Sequence, residues 1–141
     1  MNYKIVAKYI KSLNFDIPDA ETFFLLSKKI GNYKINIDIK SNQFKSNFIE
    51  IETSLNLNNT TEDSKKINTK ITHSTIIELD ENIKDKNELE KIILIKVPNE
   101  IYSEIRDSFI FLFERSGFKD VKIDKRVDFQ KLYNENKKMI Q

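Results

Sequence analysis

The chain has 141 residues, with 24 Lys and Arg against 22 Asp and Glu, one His, two Gly, two Pro and no Cys. The lack of Cys excludes disulfides, thiolate metal sites and a cysteine nucleophile, and one His with two Gly argues against zinc sites, histidine-based catalysis and phosphate-binding loops. The length suits one domain over residues 1–141. A net charge of +2 does not favour nucleic acid as a partner. Together, these features predict a domain that binds other molecules rather than catalyses a reaction, and that needs no cofactor.

Four stretches alternate apolar and polar residues with the period of a β-strand. Successive strand side chains point to opposite faces, and in the second stretch, for example, Ile35 and Ile37 alternate with Asn36 and Asp38. One apolar and one polar face per strand predict an antiparallel sheet with one solvated face. The four stretches cover residues 3–17, 33–40, 49–57 and 67–79.

The connections between these strands differ in character. Residues 41–46 and 58–64 are short and polar, which predicts that the second, third and fourth strands form a meander. Residues 18–26, between the first two strands, are longer and more apolar. This segment is therefore predicted to cross the domain and to lie on its surface.

Two helices are predicted after the sheet. Residues 92–95 form an apolar run that could be the end of a buried helix or a strand, and Pro98 is predicted to end it. Asn99 is then the N-cap of a helix that runs to Ser116, where Gly117 supplies the left-handed stop. A last helix begins at Asp128. The predicted fold is α+β, with a long helix and a C-terminal helix after a four-stranded antiparallel sheet.

The long helix is more apolar than one sheet requires. Residues 109–113 are five consecutive apolar residues, which at 3.6 residues per turn face every direction and indicate burial on all sides. One sheet covers one side, so a second copy of the chain is expected to cover the other; the alternative is that residues 92–95 or the last helix fold over it. The expected oligomer interface comprises Ile101, Tyr102, Ile105, Phe109, Phe111, Leu112 and Phe113.

Nothing in the sequence directs the chain to a membrane. Its first residues carry no long apolar run and no small-residue cleavage site, which predicts that there is no signal peptide. Residues 109–113 are the longest apolar run, far short of the ~20 residues that cross a bilayer. We therefore expect a cytoplasmic protein with no stable membrane insertion.

Several segments together resemble the SecB family of bacterial protein-export chaperones. Residues 9–20, YIKSLNFDIPDA, resemble the family's first strand and the start of its crossover. Pro98-Asn99 followed by Tyr102, Arg106 and Asp107 looks like the motif at the start of the family's long helix. Gly117-Phe118 and residues 127–133, VDFQKLY, are similar to its closing segments. The resemblance covers the chain from about residue 9 to residue 134.

The resemblance implies both an assembly and a function. SecB-like chains form homotetramers, dimers of dimers with the long helices packed between sheets, which would supply the second cover for residues 109–113. The family has no catalytic chemistry. Its members hold unfolded precursor polypeptides in apolar grooves, keep them competent for translocation and deliver them to the export motor SecA. The implied function is therefore that of a holdase for protein export.

Some residues depart from the family pattern. On the fourth strand, residues 72–77 read THSTII, where the family has Gln-x-Gly-Gly-Ile-Phe. The family's SecA-binding surface is partly acidic; Asp16 matches one acidic position, whereas Ser12 and Lys70 stand where acids are expected. The chain also ends without the tail that contributes to SecA contact in the family. The resemblance thus implies SecA contact through Asp16 and Ser12, but chaperone activity transfers more readily than SecA delivery.

A holdase needs exposed apolar surface, because large apolar patches mark binding sites. The crossover segment is the first expected lining of a client groove, and the last helix together with Ile76 is the second. For each residue the competing interpretation is ordinary core. The candidate client-binding residues are Phe15, Ile17, Phe23, Phe24, Leu25, Ile76, Phe129, Leu132 and Tyr133.

Two other functions stay open. A SecB-like chaperone dedicated to one client, such as the antitoxin of a stress-response pair, would fit the weakened acidic surface. A small ligand-binding protein would need convergent buried polar groups, and the apolar face of the fourth strand offers His73 with Thr69 and Thr75. A buried, hydrogen-bonded imidazole is the favoured interpretation of His73, and no metal site is expected.

Overall fold

The computed structural model describes residues 2–29, 33–59, 68–81, 85–119 and 121–140. Its elements, in chain order, are β1 (Tyr3–Asp16), α1 (Ala20–Lys29), β2 (Tyr33–Lys45), β3 (Phe48–Asn59), β4 (Asn68–Leu79), α2 (Lys86–Lys91), a π-helical turn (Ile92–Lys96), α3 (Val97–Arg115) and α4 (Phe129–Ile140). The predicted α+β fold with a four-stranded antiparallel sheet is confirmed. Helix α1 is an addition to the predicted elements.

The strands are ordered β1-β4-β3-β2, and every neighbouring pair is antiparallel. The meander of β2, β3 and β4 is therefore as predicted, while β1 and β2 lie at opposite edges, so the segment that joins them crosses the sheet. The predicted connection over residues 41–46 is wrong. The β2 strand continues to Lys45, which leaves Ser46 and Asn47 as the turn, and residues 60–67 of the next connection lie outside the described residues.

The edge strand β1 carries two β-bulges, after Ile5 and after Ile10. We call the sheet face toward α3 the inner face and the opposite face the outer face. The alternation of the sequence predicts Tyr9 on the same face as Tyr3 and Ile5. Between the bulges this is wrong, because Lys8 reaches Glu104 of α3 while Tyr9 contacts Glu50 on the outer face. A bulge inserts one unpaired residue and thereby reverses the faces of the residues that follow it.

Helix α3 packs on the inner face and forms the core with it. Fully buried aliphatic side chains of β3 and β4 meet fully buried side chains of the helix, each contributing about 1.5–3 kcal/mol relative to exposure. The buried set includes Ile51, Leu55, Ile71 and Ile77 from the sheet and Ile101, Ile105, Phe109 and Phe113 from the helix.

The prediction that Pro98 ends a segment before the long helix is wrong. From Lys86 to Arg115 the chain is helical throughout, with a π-helical turn directly before α3. In this turn the N–H of Val97 donates to the carbonyl of Ile92, five residues earlier. Pro98 then occupies the first turn of α3, where a residue without an N–H is tolerated, so neither a break nor an Asn99 cap is needed.

The end of α3 follows the prediction. Gly117 has a φ of 102°, a left-handed conformation that glycine adopts without a steric penalty. Its N–H donates to the carbonyl of Glu114, and the N–H of Phe118 donates to that of Phe113. The Phe113 and Phe118 rings lie 5.4 Å apart, which completes a Schellman motif with its hydrophobic contact.

His73 lies in the layer between the sheet and α3, and it is only 7% exposed. The predicted burial is confirmed, but the predicted hydrogen bonding is not found at Nδ1, which has no partner among the described residues. Burial lowers the pKa of His73, and the nearest charges are Lys8 and Glu104, themselves ion-paired at 2.8 Å. The structure therefore favours a neutral imidazole here.

Substituting His73 should change how stability depends on pH. Because the folded-state pKa lies below the unfolded value of about 6.5, the unfolded chain takes up the proton first, and the free energy of unfolding falls as the pH drops below that value. Urea unfolding at about pH 7.5 and about pH 5.5 should show this loss in the wild type and a flatter profile in His73→Gln. As a control, Glu104→Gln should lose stability between these two pH values as the wild type does. Identical pH profiles for the wild type and His73→Gln would contradict the assignment of a lowered pKa to His73.

Candidate functional site

Helix α1 presents apolar side chains to solvent. Asp19 caps it, since the N–H of Thr22 donates to Asp19 Oδ1 at 2.7 Å, and Leu26 is buried beneath it. Phe24 is 62% exposed and Leu25 is also exposed. Leaving a phenylalanine in water forfeits the free energy of its burial, so this pair makes α1 a candidate contact surface.

The other crossover candidates are packing residues that position α1. The ring of Phe23 lies 4.8 Å from that of Phe118, at the end of α3. Phe15 makes an edge-to-face contact with Phe113 at 5.1 Å, and Ile17 is half-buried against the core. The structure thus divides the expected groove into a packed floor and the exposed pair Phe24 and Leu25.

Most of the candidates on α4 are also buried. Phe129 contacts Tyr102 edge-to-face with the ring centroids 6.0 Å apart. The Tyr133 hydroxyl donates to Glu90 at 3.0 Å, and both Phe129 and Tyr133 belong to the buried set. Leu132 is exposed. The helix therefore covers the first half of α3, and Leu132 is the α4 candidate that a client could reach directly.

Ile76 lies apart from these residues. On β4 it is opposite Ala7 of β1 and Glu50 of β3, which places it on the outer face of the sheet. It is half-buried there. The structure does not bring it together with the crossover residues, because the sheet stands between them.

A polar network spans the outer face from β1 to β3. Lys11 is ion-paired with Glu50 at 3.2 Å and with Glu52 at 3.0 Å. The Tyr9 hydroxyl donates to Glu50 at 2.6 Å and Ser74 donates to it at 2.7 Å. The hydrogen bonds from Tyr9 and then Ser74 lower the pKa of the Glu50 carboxyl. Both carboxylates are thus engaged within the sheet.

The residues expected to contact SecA lie at one end of the same face. Asp16, Ser12 and Lys70 are all exposed, and Lys70 pairs with Asn14, midway between Ser12 and Asp16 along β1. This end of the sheet therefore presents one carboxylate, one hydroxyl and one ammonium group. It is not a continuous acidic surface.

The expected interface residues divide in a similar way. Five of the seven are buried within the subunit's own core, whereas Phe111 is 57% exposed and Leu112 is half-buried. Phe111 and Leu112 line an open groove of about 350 Å³ together with the exposed Ile10 and Leu13 of β1. The five residues placed in the core are Ile101, Tyr102, Ile105, Phe109 and Phe113.

Sequence reasoning missed the β1 side of this groove. Neither Ile10 nor Leu13 is among the interface residues that the sequence indicates. The two bulges of β1 turn Ile10 toward the helix side, and no Gly marks them in the sequence. The exposed apolar residues of β1 were therefore recognisable only from the strand register.

Two further properties concern the described part of the chain. It contains no group of three or more His, Cys, Asp or Glu side chains that could hold a metal ion. Among the helices in these ranges, none combines the length and the apolar character needed to cross a membrane.

Comparisons with known proteins agree with this architecture. The family model described as "Preprotein translocase subunit SecB" matches residues 1–139. The "Putative protein-export protein SecB" of Pelagibacter ubique (strain HTCC1062) is 40% identical over 134 residues, covering 95% of this chain and 96% of that protein.

Among solved structures, the fold is similar to that of a SecB-like chaperone from Mycobacterium tuberculosis, solved in complex with a ChAD peptide from the HigA1 antitoxin. The TM-score is 0.63 at 10% sequence identity, with 87% of this chain and 90% of that chain covered. An identity this low shows a shared fold alone. On the family match and the 40% identical relative, the chain belongs to the SecB family of protein-export chaperones.

Proposed function

We propose that this chain is a cytoplasmic holdase that binds unfolded precursor polypeptides and keeps them competent for export. SecB is a family of chaperones rather than of enzymes, and the chain matches it over residues 1–139. The observation that carries the proposal is the exposed pair Phe24 and Leu25 on α1. Neither a chaperone dedicated to one client such as an antitoxin nor a small ligand-binding protein is favoured by the family match.

The client surface that we propose is centred on α1. Phe24 and Leu25 supply the contact area, while Phe15, Ile17 and Phe23 hold the helix in place by packing on the end of α3. Leu132 adds an exposed apolar side chain on α4, above the buried Phe129 and Tyr133. The contacts at one such surface are weak, so affinity for a long unfolded chain would come from several surfaces acting together.

Replacing Phe24 and Leu25 together by Ser should weaken client binding without unfolding the protein, because both side chains are exposed. We expect affinity for an unfolded protein to fall about tenfold, equivalent to about 1.4 kcal/mol, and suppression of its aggregation to need correspondingly more chaperone. The control is Val6→Ser, which removes an exposed apolar side chain from β1. Equal client affinity in the double variant and the wild type would remove α1 from the client site.

We also propose that the chain assembles as a homotetramer through the groove between β1 and α3. The exposed Phe111, Ile10 and Leu13 form a continuous apolar patch, and patches of this kind mark protein interfaces. The Lys8–Glu104 ion pair at 2.8 Å also joins β1 to α3. This interface would use Phe111 and Leu112 from the expected set, with Ile10 and Leu13 added.

Phe111→Asp should dissociate the assembly, because it places a charge in the centre of that patch. Light scattering should give about four times 16.7 kDa for the wild type and a lower mass for the variant. Phe24→Ser should keep the wild-type mass, since α1 lies outside the groove. A wild type that is monomeric at high concentration would refute the tetramer, and an unchanged mass for Phe111→Asp would refute this interface.

Delivery to SecA is the third part of the proposal, with Asp16 and Ser12 as the contact residues. Asp16 is exposed, whereas Glu50 and Glu52 are engaged by Lys11. Lys70 lies between the two contact residues in the register. Its positive charge works against a partner that binds a partly acidic surface. We therefore infer that SecA binding exists here but is weakened by Lys70.

Calorimetric titration of SecA should separate these effects. Asp16→Asn should weaken binding and Lys70→Glu should strengthen it, because charge at the edge of an interface mainly changes electrostatic attraction. Asp38→Asn is the matched control, since Asp38 is an exposed acid on the outer face of β2, opposite Ser54. Failure of both the wild type and Lys70→Glu to bind SecA would refute delivery by this route.

A further inference from the structure

A strip of apolar side chains crosses the outer face of the sheet beside the β2–β3 turn. Phe48 of β3 and Ile76 of β4 are diagonal neighbours on the outer face, because Phe48 pairs with Glu78, two residues beyond Ile76. Ile76 lies directly opposite Ala7 of β1. Phe44 of β2 extends the strip, with its ring centroid 6.0 Å from that of Phe48. We call these four residues the Phe44 strip. It shares no residue with α1 or with the groove between β1 and α3.

The local backbone holds Phe44 in an exposed position. A β-bulge between Gln43 and Lys45 leaves Phe44 as the extra residue of β2, and its side chain is 47% exposed. The Gln43 amide donates to the carbonyl of Ser46 at 2.8 Å, across the turn. The N–H of Leu79 donates to the carbonyl of Asn47 at 2.8 Å, which ties the turn to β4. The aromatic side chain therefore stands on a braced turn, which lowers the entropic cost of binding.

Two lysines of β2 lie next to the strip. Lys45 pairs with Phe48 in the register and Lys40 lies further along the outer face of β2. Both lysines are exposed, and within the described part of the chain neither is in an ion pair. Glu52, which faces Lys40, already carries the ion pair with Lys11. The two ammonium groups are thus available to a carboxylate from another molecule.

Two acids lie beside the strip. Glu50, opposite Ile76, is ion-paired with Lys11, and Glu78 is opposite both Phe48 and Lys4 in the register. Asp16, the proposed SecA contact, pairs with Asn68 at the other end of β4. Eight residues of strand separate Asn68 from Ile76, or about 26 Å at 3.3 Å per residue. The Phe44 strip is therefore distinct from the Asp16 end in position.

We propose that the Phe44 strip binds an extended polypeptide segment in which an apolar side chain stands next to Asp or Glu. The strip receives the apolar side chain, and Lys45 and Lys40 attract the carboxylates. A segment with Lys or Arg at the same positions is repelled by the same two ammonium groups. The inference goes beyond the holdase proposal, because it assigns a second surface with its own preference for charge and does not use α1.

Peptide binding tests the proposal through a ratio of affinities. Two labelled peptides of identical apolar content, one with Asp and Glu beside a Leu-Phe-Leu core and one with Lys there, are titrated with the full chain and followed by fluorescence anisotropy. The acidic peptide should bind about fivefold tighter at low salt, the effect expected of one or two exposed ion pairs. The preference should shrink as salt is added, because exposed charges are screened.

Variants assign the preference to the strip. Lys40→Glu with Lys45→Glu should reverse the ratio, and Phe44→Ser should bring it close to one. Lys131→Glu, a charge reversal at an exposed lysine on α4, should leave it unchanged. Replacing Phe24 and Leu25 by Ser should leave the preference for the acidic peptide in place, because the strip does not include α1, so failure of the holdase proposal and failure of this one are distinguishable. A wild-type ratio of one, or a ratio that survives the Lys40 and Lys45 reversal, would overturn the inference.

Discussion

The packing of α3 on the inner face of the sheet is the contact on which the other features depend. Phe109 and Phe113 from the helix and Ile51, Leu55 and Ile71 from the sheet are fully buried in it. Helix α3 has a single layer of strands beneath it, so the side chains that this layer cannot cover must meet solvent or another molecule. The positions of the exposed apolar surfaces follow from that geometry.

Those surfaces have different surroundings, and we connect each with a different task. Phe111 lies at the side of α3, next to the free edge of β1, where a second copy of the chain could pack against both elements. Phe24 lies on the crossover helix α1, held through Phe23 and Phe15 to the end of α3. Phe44 lies on the far side of the sheet, beside the exposed Lys45 and Lys40. A chain with one small core thus carries exposed aromatic residues on three separate surfaces.

The outer face of the sheet carries charges of both signs. Lys11 forms ion pairs with both Glu50 and Glu52 from β1 to β3, so the carboxylates nearest the centre of this face are engaged within the sheet. Asp16 at one end and Lys45 at the other remain exposed. The two ends of the face therefore differ: the Asp16 end presents a carboxylate next to the ammonium group of Lys70, whereas Lys45 lies beside the Phe44 strip.

The alternation of residues such as Ile35 and Ile37 was enough to predict the strands, because a sheet with one buried face leaves a local period of two. The stop at Gly117 was likewise readable because it rests on neighbouring residues, and the family resemblance was readable because it rests on short motifs and their order along the chain. The bulges of β1 were not readable, because a bulge exists only relative to β4, a partner distant in sequence. The passage of the helix through Pro98 was not readable either, because it depends on the π-helical turn that directly precedes α3.

The site shows the same division between sequence and tertiary structure. The sequence identified Phe24, Phe111 and Ile76 as apolar candidates, but it could not separate them from Phe109, Phe113 and Phe129, which have the same chemistry. Burial is a property of the folded arrangement: the same side chain is core where α3 or α4 covers it and contact surface where nothing does. Composition and pattern determined the fold and family of this protein, and tertiary packing alone decided which of its phenylalanines remain available to a partner.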